Sequence, residues 1–368
     1  MQKVKMILTN RFDPDVRVYK EAQYLVLKGF DVEILCWDRE SEYKSREIEE
    51  IDGINIKRFF PYAKAGTGYK QIIPYIKFLK ECKNYLRGKE YDYLHCHDLD
   101  GVIVGNHIKN SNSKLVFDMH EFYEVQGSKQ KIRYIVRAIV NNMQIKSDAI
   151  IYVNQMQKDV MKKKNINKLI YIPNYPIASD FENCEKSKSE KLRISYIGAV
   201  RQYNELKNLM DACNDIDNIK VSIHGTGVAY KKLNDIKNNY KNIEVTGVYH
   251  FSESSKLYSQ TDVLYAIYPM NTFQNRNAYP VKFFEAIITK TPIIVSKGSI
   301  LEKFIMENDI GFVVDGSNVS EITELISYIN SHRKLLQEKT ENIEKIQFDF
   351  SWGEVVKNMD SIYERDTI

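Results

Sequence analysis

The sequence predicts an α/β protein made of two doubly wound, Rossmann-like halves. Apolar runs of strand length alternate with helical patterns along the whole chain, which is typical of parallel sheets with crossover helices. A polar run, ENCEKSKSEK, interrupts this alternation near the middle, and the alternation then starts again. The length of 368 residues also suits two domains of ordinary size better than one.

The composition narrows the class of protein. Hydrophobic residues make up 43% of the chain without a long apolar run, so the chain is expected to be globular rather than membrane-spanning. The opening residues, MQKVKMILTN, read as a strand and lack the apolar region of a signal peptide. The five cysteines are scattered without a CxxC pair, which predicts a reducing cytoplasm and neither disulfides nor a zinc site. A net charge of +4 gives no reason to expect nucleic acid as a partner.

The first half, expected to span residues 1–177, contains the alternation in order. VKMILTN is a strand that leads into a helix from about Val16 to Lys28, which Gly29 closes before the strand DVEILCW. The strand INIKRFF precedes a basic helix near residues 75–87, and the strand YDYLHCHD follows it. KLVFDMHE, a long helix near residues 130–146, and DAIIYVN complete this half.

The second half, expected to span residues 191–345, follows a linker at 178–190. LRISYIGAV and IKVSIHG are strands separated by a helix near residues 203–214. The strands NIEVTGV, DVLYAIY and GFVVD and the helices between them extend the sheet. Ser351 and Glu354 have the spacing of a capping box, which predicts a terminal helix to about Arg365. We expect residues 346–368 to return to the first domain.

The segment NAYPVKFFEAIITKTPIIVS, residues 277–296, is the most informative part of the second half. Pro280 can open a helix at its first position, where a missing N–H costs nothing. The helix is followed by a buried strand, so Glu285 becomes a carboxylate near a helix start that lies against a sheet. Free N–H groups at a helix start attract phosphate, and a nearby carboxylate can accept hydrogen bonds from ribose hydroxyls. The segment therefore predicts a nucleotide-binding turn.

With these motifs placed, the chain resembles the glycosyltransferases of the GT-B fold, most closely the retaining family 4. The resemblance covers nearly the whole length and depends on DPDVRVYKEAQYLVLKGFDVEIL, YDYLHCHDLD, KLVFDMHEFY, RISYIGAVR and YPVKFFEAIITKTPIIVS, in this order. It implies two Rossmann-like domains that face each other across a cleft. It also implies a nucleotide-sugar donor in the C-terminal half, an acceptor in the N-terminal half, and sugar transfer with retention and without a metal.

The resemblance assigns the donor site to residues of the second half. It implies that Glu285 binds the ribose and that Arg201 and Lys207 bind the diphosphate and take a catalytic part. The first glutamate of the family's Glu-x7-Glu pair is replaced by Asn277, which can still bind a sugar hydroxyl but carries no charge. The remaining residues of the expected donor site are Tyr279, Pro280, Val281, Gly225 and Gly227. A tight turn explains the two glycines as well as phosphate binding does.

In the first half, the resemblance implies that His120 lies beside the donor sugar as a catalytic residue. His97 and Asp98, after a different strand of the same sheet, are candidates for the acceptor site. Asp13 and Arg17, in the first strand-to-helix turn, are two more acceptor-site candidates, although helix capping and ordinary surface charge explain this turn equally well.

A metal and a cofactor are both expected to be absent. His95 and His97 have a spacing that suggests a metal, but no third ligand at a suitable spacing joins them in the sequence. The nucleotide-sugar, linked to UDP or GDP, is a substrate and not a cofactor. The alternatives to a transferase are a nucleotide-sugar 2-epimerase of the same fold and a non-catalytic or degenerate sugar-nucleotide-binding protein.

Two basic amphipathic segments, KQIIPYIKFLKECKNYLR and QKIRYIVRAIVNNMQIK, are relevant to where the protein is located in the cell. Such a helix can lie on an anionic bilayer or pack as an ordinary crossover helix with a solvated face. We therefore expect a cytoplasmic enzyme of bacterial surface polysaccharide or glycan assembly. Its acceptor would be a glycan or lipid-linked glycan, with peripheral contact at the inner face of the membrane as an additional hypothesis.

Overall fold

The computed structural model describes residues 1–13, 15–64, 66–123, 130–161 and 163–363 of the chain. The chain divides into two compact units. The first unit comprises Met1–Pro173 together with Val355–Ile368, and the second comprises Asn174–Glu354.

The described residues of the first unit form one sheet of eight strands in the order β3-β4-β2-β1-β5-β6-β7-β8. The strands pair in parallel, except that β3 is antiparallel to β4. Their bounds are Lys3–Leu8 (β1), Asp31–Trp37 (β2), Ile48–Ile51 (β3), Ile54–Phe59 (β4), Tyr93–His97 (β5), Lys114–Met119 (β6), Ala149–Tyr152 (β7) and Leu169–Tyr171 (β8). The inner strands are apolar along most of their length because they lie in the core.

The helices of the first unit connect these parallel strands. Their bounds are Val16–Leu27 (α1), Ile72–Leu86 (α2), Asp98–Ile108 (α3), Gln130–Lys146 (α4) and Gln155–Val160 (α5). Helix α1 begins where Asp15 caps it, since the Asp15 side chain accepts hydrogen bonds from the N–H groups of Arg17 and Val18. Helices α2 and α4 both pack against α3.

The second unit contains a sheet whose described strands are all parallel, in the order β11-β10-β9-β12-β13-β14. The strand bounds are Leu192–Ile197 (β9), Ile219–His224 (β10), Ile243–Gly247 (β11), Val263–Ala266 (β12), Ile293–Ser296 (β13) and Gly311–Val314 (β14). The helix bounds are Tyr203–Cys213 (α6), Tyr230–Ile236 (α7), Ser254–Ser259 (α8), Phe273–Asn277 (α9), Val281–Ile288 (α10), Ile300–Asn308 (α11), Val319–Ser331 (α12), Lys334–Ile346 (α13) and Trp352–Val355 (α14). The predicted fold class, two Rossmann-like α/β halves, is confirmed.

Two regions differ from the sequence prediction. The stretch expected to be a linker, 178–190, falls within the second unit, where Lys186 Nζ donates to the carbonyl oxygens of Tyr258 and Thr261 and to Thr291 Oγ1. The expected terminal helix is shorter, because α14 gives way to a 3-10 turn at Val356–Ser361. Its predicted end near residue 365 lies outside the described residues.

The terminal segment is attached to the first unit by polar contacts. Tyr24 of α1 and Lys28, the residue directly after this helix, donate to the two carboxylate oxygens of Asp360, at 2.7 and 2.8 Å. The hydroxyl of Tyr363 lies 2.7 Å from His95 Nδ1 on β5. Over the residues that the structure describes, the helices are all too short or too polar to cross a membrane.

Candidate functional site

In the second unit, Glu285 lies within a group of tyrosines. Pro280 is the N-cap of α10, whereas the sequence predicted it as the first helical residue. The helix begins one residue later, at the exposed Val281. Glu285 is 8% exposed, and its Oε2 accepts a hydrogen bond of 2.9 Å from the hydroxyl of Tyr258. Burial raises the pKa of Tyr249 to about 12, and the negative charge of Glu285 adds to this shift. Glu285 is therefore a buried carboxylate that accepts a hydrogen bond from one tyrosine and acts by its charge on another.

Lys282 occupies the same helix, one turn before Glu285. Its side chain is buried, and its Nζ lies 3.4 Å from the centre of the Tyr196 ring and 5.7 Å from that of Tyr268. Burial lowers the pKa of Lys282 to about 7, and the charge of Glu285 only partly opposes this shift. The sequence analysis did not single out this residue, although its spacing of three from Glu285 places both on one face of a helix.

Arg201 lies in the turn between β9 and α6 and is exposed. Burial raises the pKa of Tyr196 and of Tyr268, and the positive charge of Arg201 opposes both shifts. The guanidinium of Arg201 is thus electrostatically coupled to the two tyrosines that contact Lys282. The charges of Arg201 and Glu285 both act on Tyr268, which lies beside Lys282.

Lys207 has other partners. It lies on α6, where its Nζ forms an ion pair of 2.5 Å with Asp211 one turn later. Asp211 also accepts a hydrogen bond of 2.6 Å from Tyr240. The structure therefore gives Lys207 a carboxylate partner on its own helix.

In the second unit, glycines lie where the chain segments at the ends of β9, β10 and β11 pack closely against one another. Gly225 has φ +122°, and a Cβ at this position would overlap the carbonyl oxygen of Gly198. The N–H of Gly198 donates to the carbonyl oxygen of His224 at 3.0 Å, and the N–H of Gly225 donates to that of Gly247 at 2.7 Å. Gly227 follows in the same turn, where a Cβ would overlap the carbonyl oxygen of Val200. Close backbone packing accounts for both predicted glycines.

Asn277 and Tyr279 lie just before α10. The side-chain amide of Asn277 donates to the carbonyl oxygen of Phe273 at 2.9 Å and so contributes to the end of α9. The ring of Tyr279 is nearly parallel to that of Phe284, with 6.1 Å between centres, and meets Phe283 edge-on. Tyr279 is therefore part of an aromatic cluster beside the helix that carries Glu285.

A cavity of about 460 Å³ opens beyond the ends of β12, β13 and β14. Ligands of parallel sheets bind in this position, outside the carboxyl ends of the strands. Its wall includes Tyr268, which is also a neighbour of Lys282. The other lining residues are Glu205, Pro269, Met270, Ser296, Lys297, Gly298, Asp315, Gly316 and Ser317.

In the first unit, Asp118 at the end of β6 organises a buried polar network. Arg17 donates to both Asp118 oxygens through its Nε and Nη2, each at 2.9 Å, and to the carbonyl oxygen of Ile172 at 3.0 Å. The same guanidinium lies 2.8 Å from Glu21, one turn along α1. His97 Nδ1 and His120 Nε2 lie 3.1 and 2.7 Å from Asp118 Oδ2.

His120 is held between two carboxylates. Its Nε2 faces Asp118, and its Nδ1 lies 3.4 Å from Asp98 Oδ2. Burial alone would lower the pKa of His120, but the charges of Asp98 and Asp118 and their hydrogen bonds raise it well above its usual value. Because both ring nitrogens face acceptors, His120 is an imidazolium whose side chain remains 21% exposed.

The two buried carboxyl groups of this network, Glu21 and Asp118, have pKa values shifted in opposite directions. Burial raises the pKa of Glu21 to about 7, and the charge of Arg17 opposes this shift. Burial also would raise the pKa of Asp118, but Arg17 and His120 hold it well below its usual value. The network thus combines a firmly ionised Asp118 with a Glu21 that titrates near neutral pH.

Arg17 and His97, two of the predicted acceptor-site residues, are buried in this unit, and both contact Asp118. The sequence also predicted that no third ligand joins His95 and His97, and this expectation is wrong. Glu21 and Asp118 join them, with candidate ligand atoms all within 4.8 Å of one another. The sheet and α1 bring these residues together across sequence separations that a spacing pattern does not show.

The ligand atoms of Glu21, His95, His97 and Asp118 lie close enough together to hold a metal ion. However, the two carboxylates among them already contact the positively charged Arg17. Arg17 makes a two-point contact with Asp118 and an ion pair with Glu21. Burial lowers the pKa of His95 well below its usual value, so this ring adds no charge. The arrangement can position His120 rigidly without a metal.

The remaining acceptor candidates lie apart from each other. Asp98 begins α3 with φ +63°, a strained conformation, and accepts a hydrogen bond from Tyr123 in addition to its contact with His120. Asp13 is exposed and contacts Arg11 and Tyr43. The structure thus joins Asp98, but not Asp13, to His120.

Two family models match the chain in succession. The model of glycosyltransferase family 4 matches residues 15–175, and the model of the glycosyl transferases group 1 matches residues 179–346. Each match falls largely within one of the two units. No sequence among the curated proteins matches the chain.

Solved structures resemble the chain over nearly its full length. Sucrose-phosphate synthase from Thermosynechococcus elongatus superposes with a TM-score of 0.77 at 14% identity, over 99% of this chain and 98% of that one. HepE of Anabaena, in complex with UDP and glucose, has a TM-score of 0.69 at 11% identity, over 97% and 98%. The catalytic domain of starch synthase IV from Arabidopsis thaliana, bound to ADP and acarbose, has a TM-score of 0.67 at 14% identity, over 98% of both chains. At such identities the likeness shows a shared fold.

Proposed function

The chain belongs to the GT-B glycosyltransferases that resemble family 4, and we propose that it transfers a hexose from a nucleotide-diphosphate donor to a hydroxyl acceptor with retention. The position of Glu285 carries this proposal. Glu285 is a buried carboxylate on the helix that follows Pro280, and its charge and that of Arg201 both act on Tyr268. Two solved structures of the same fold contain UDP or ADP, which supports a nucleoside diphosphate as the leaving group here.

In the proposed reaction, each half of the donor has its own partners. Glu285 accepts hydrogen bonds from the ribose hydroxyls, which an ionised carboxylate can do twice. Arg201 binds the diphosphate and offsets the negative charge that grows on it as the glycosidic bond breaks. Asn277 stands in place of a carboxylate, so the transferred sugar is held by neutral hydrogen bonds at this position.

His120 acts through its charge in this proposal. Its ring nitrogens already face Asp98 and Asp118, so the ring cannot accept the proton of the acceptor hydroxyl. An imidazolium at the reacting sugar instead stabilises the negative charge of the departing phosphate. A phosphate oxygen of the donor then takes the acceptor's proton, which agrees with retention and requires neither an enzymic nucleophile nor a metal.

Calorimetry with UDP and GDP tests the role of Glu285. Glu285→Ala should weaken binding of the preferred nucleotide about 10-fold to 100-fold, because hydrogen bonds to a charged group contribute about 1.5–3 kcal/mol. Glu285→Gln, which keeps an acceptor for Tyr258, should also weaken binding while preserving the fold. Glu307→Ala, on an exposed turn of α11, is the matched control. Unchanged affinity in both Glu285 variants would overturn the assignment.

We also propose that the enzyme contacts an anionic membrane surface through α2 and α4. Apolar side chains near the starts of these helices are exposed: Ile72, Ile73, Ile76, Ile132, Tyr134 and Ile135. Arg133 and Arg137 are exposed on α4 among them. Exposed apolar and basic side chains on one helix favour binding to anionic lipid, where a lipid-linked glycan acceptor of surface polysaccharide assembly would be found. The side chain of Lys131, also part of this predicted surface, lies outside the described residues.

A further inference from the structure

The buried side chain of Lys282 lacks a hydrogen-bond acceptor. Its side chain is 7% exposed, and its Nζ has no hydrogen-bond partner among the described residues. Lys186, in the same unit, shows the usual arrangement, since its ammonium donates to three oxygens at 2.5–2.9 Å. The difference calls for a physical reason, because an ammonium removed from water normally gains hydrogen bonds in exchange.

The protein itself offsets only part of the free energy that is lost when the ammonium of Lys282 is removed from water. The contact of Nζ with the ring of Tyr196, at 3.4 Å from the ring centre, is a cation–π contact that favours the charged form but supplies no hydrogen-bond acceptor. Glu285 carries the nearest opposite charge, but its Oε2 accepts from Tyr258, and Lys282 forms no ion pair with the residues described. With so little compensation, the charged form of Lys282 is disfavoured in the free enzyme. An anion that arrives with the substrate would supply the missing partner.

The position of Nζ indicates which part of the substrate this would be. A Cβ at Gly198 would lie 3.4 Å from both Cε and Nζ of Lys282, so the ammonium lies directly beneath the turn after β9. Arg201 follows in the same turn, and α6 begins at Tyr203. Two cationic side chains and a backbone turn that leads into a helix therefore meet at the carboxyl end of β9, which is where a phosphate group is best stabilised.

We propose that Lys282 Nζ binds the diphosphate of the donor, as a second cation beside Arg201. This inference rests on the proposed function, and it adds a diphosphate ligand that lies on the same helix as the ribose ligand. Binding of the diphosphate should therefore change the protonation of Lys282. With its pKa lowered to about 7 by burial, Lys282 is mostly neutral at pH 8 in the free enzyme. A bound diphosphate favours the charged form, so binding at pH 8 takes up a proton.

Calorimetry at pH 8 in buffers of different ionisation enthalpy measures this proton directly. Wild type should take up close to one proton on binding the nucleoside diphosphate that it prefers, UDP or GDP, and none on binding the matching nucleoside. Lys282→Met should take up none, and its affinity for the diphosphate should fall at least about tenfold, with affinity for the nucleoside unchanged. Lys303→Met, which removes an exposed lysine of α11, should behave as wild type.

The fold of Lys282→Met is checked by its thermal midpoint, which should equal or exceed that of wild type because a buried amine without a hydrogen-bond partner is replaced by an apolar side chain. If Lys282→Met binds the diphosphate with wild-type affinity and wild-type proton uptake, the inference is wrong while the proposed function stands. If wild type binds neither UDP nor GDP, the proposed function fails and this inference fails with it.

Discussion

At the scale of single residues, the charge of His120 is the most direct consequence of the structure. Because Asp98 and Asp118 face its two ring nitrogens, the ring should stay protonated through neutral pH. Its C2–H signal in ¹H–¹³C NMR should therefore not move between pH 6 and 8. In Asp98→Asn, which removes one of the two charges, the signal should begin to titrate within or nearer to this range. A midpoint near 6.5 in wild type would contradict the imidazolium.

Glu21 should make the stability of the enzyme depend on pH. Its pKa is raised by burial to about 7, above the value of about 4.3 in an unfolded chain, so the folded state holds the proton more tightly. The resulting stabilisation is complete below the unfolded pKa and is lost as pH rises through about 7. Chemical denaturation should show Glu21→Gln gaining stability relative to wild type, by on the order of 2 kcal/mol, between pH 5 and pH 8. A difference that does not change with pH would show that Glu21 stays ionised.

The sequence supplied some site residues and concealed others for a physical reason. Glu285 and His120 could be singled out as candidates because each follows a recognisable strand or helix start. Asp118 and Glu21 could not, since their role comes from a contact between α1 and β6 that is distant along the chain. Lys282 was concealed differently. A lysine in a helical pattern normally lies on the solvated face, and only the structure shows that this one is buried.

At the scale of the elements, the loops at the ends of β9 and β10 depend on glycine. Gly225→Ala should lower the free energy of unfolding by about 2 kcal/mol or more beyond Gly298→Ala, measured by denaturant titration. Both glycines have positive φ, but only at Gly225 would a Cβ overlap backbone, whereas at Gly298 the space is open. Equal losses in the two variants would show that the φ angle alone matters and that the loops are not closely packed.

Helices α2 and α4 make the membrane hypothesis testable. Co-sedimentation should show the enzyme binding vesicles that contain phosphatidylglycerol, with less binding at high salt and little to phosphatidylcholine alone. Ile135→Glu on α4 should reduce this binding severalfold, because an exposed apolar contact is replaced by a charge that the lipid repels. Ile48→Glu, at an exposed position of β3, is the matched control. Equal binding by all three proteins would rule out a contact through α4.

The helices and strands show which features an apolar sequence pattern predicts and which it does not. The helix at Gln130–Lys146 and most strands of both sheets could be placed from periodicity, because apolar spacing follows the burial of one face or both. The short strands β3 and β8 were not predicted. The terminal helix could not, although Ser351 and Glu354 have the spacing of a capping box. There the chain turns into a 3-10 conformation whose buried residues, Val356 and Met359, fit a shorter repeat.

At the scale of the whole molecule, the architecture was predictable to the level of two doubly wound halves. The alternation of strands and helices repeats on both sides of residue 178, and parallel sheets with right-handed crossovers leave few other topologies. The division of the chain was less predictable. A polar composition suggested a linker at 178–190, but Lys186 in this stretch donates three hydrogen bonds inside the second unit.

The central claim is that this GT-B chain breaks the bond between a nucleoside diphosphate and a sugar, with its nucleotide bound through Glu285. Incubation with a panel of UDP-, GDP- and ADP-sugars, followed by ¹H and ³¹P NMR, tests this claim most directly. We expect wild type to release nucleoside diphosphate slowly from at least one donor, with the freed sugar first appearing as the anomer present in that donor, and Glu285→Ala to release far less. Conversion of a donor into its epimer with the diphosphate bond intact would identify an epimerase. A panel in which wild type neither binds nor changes a single donor would contradict the account.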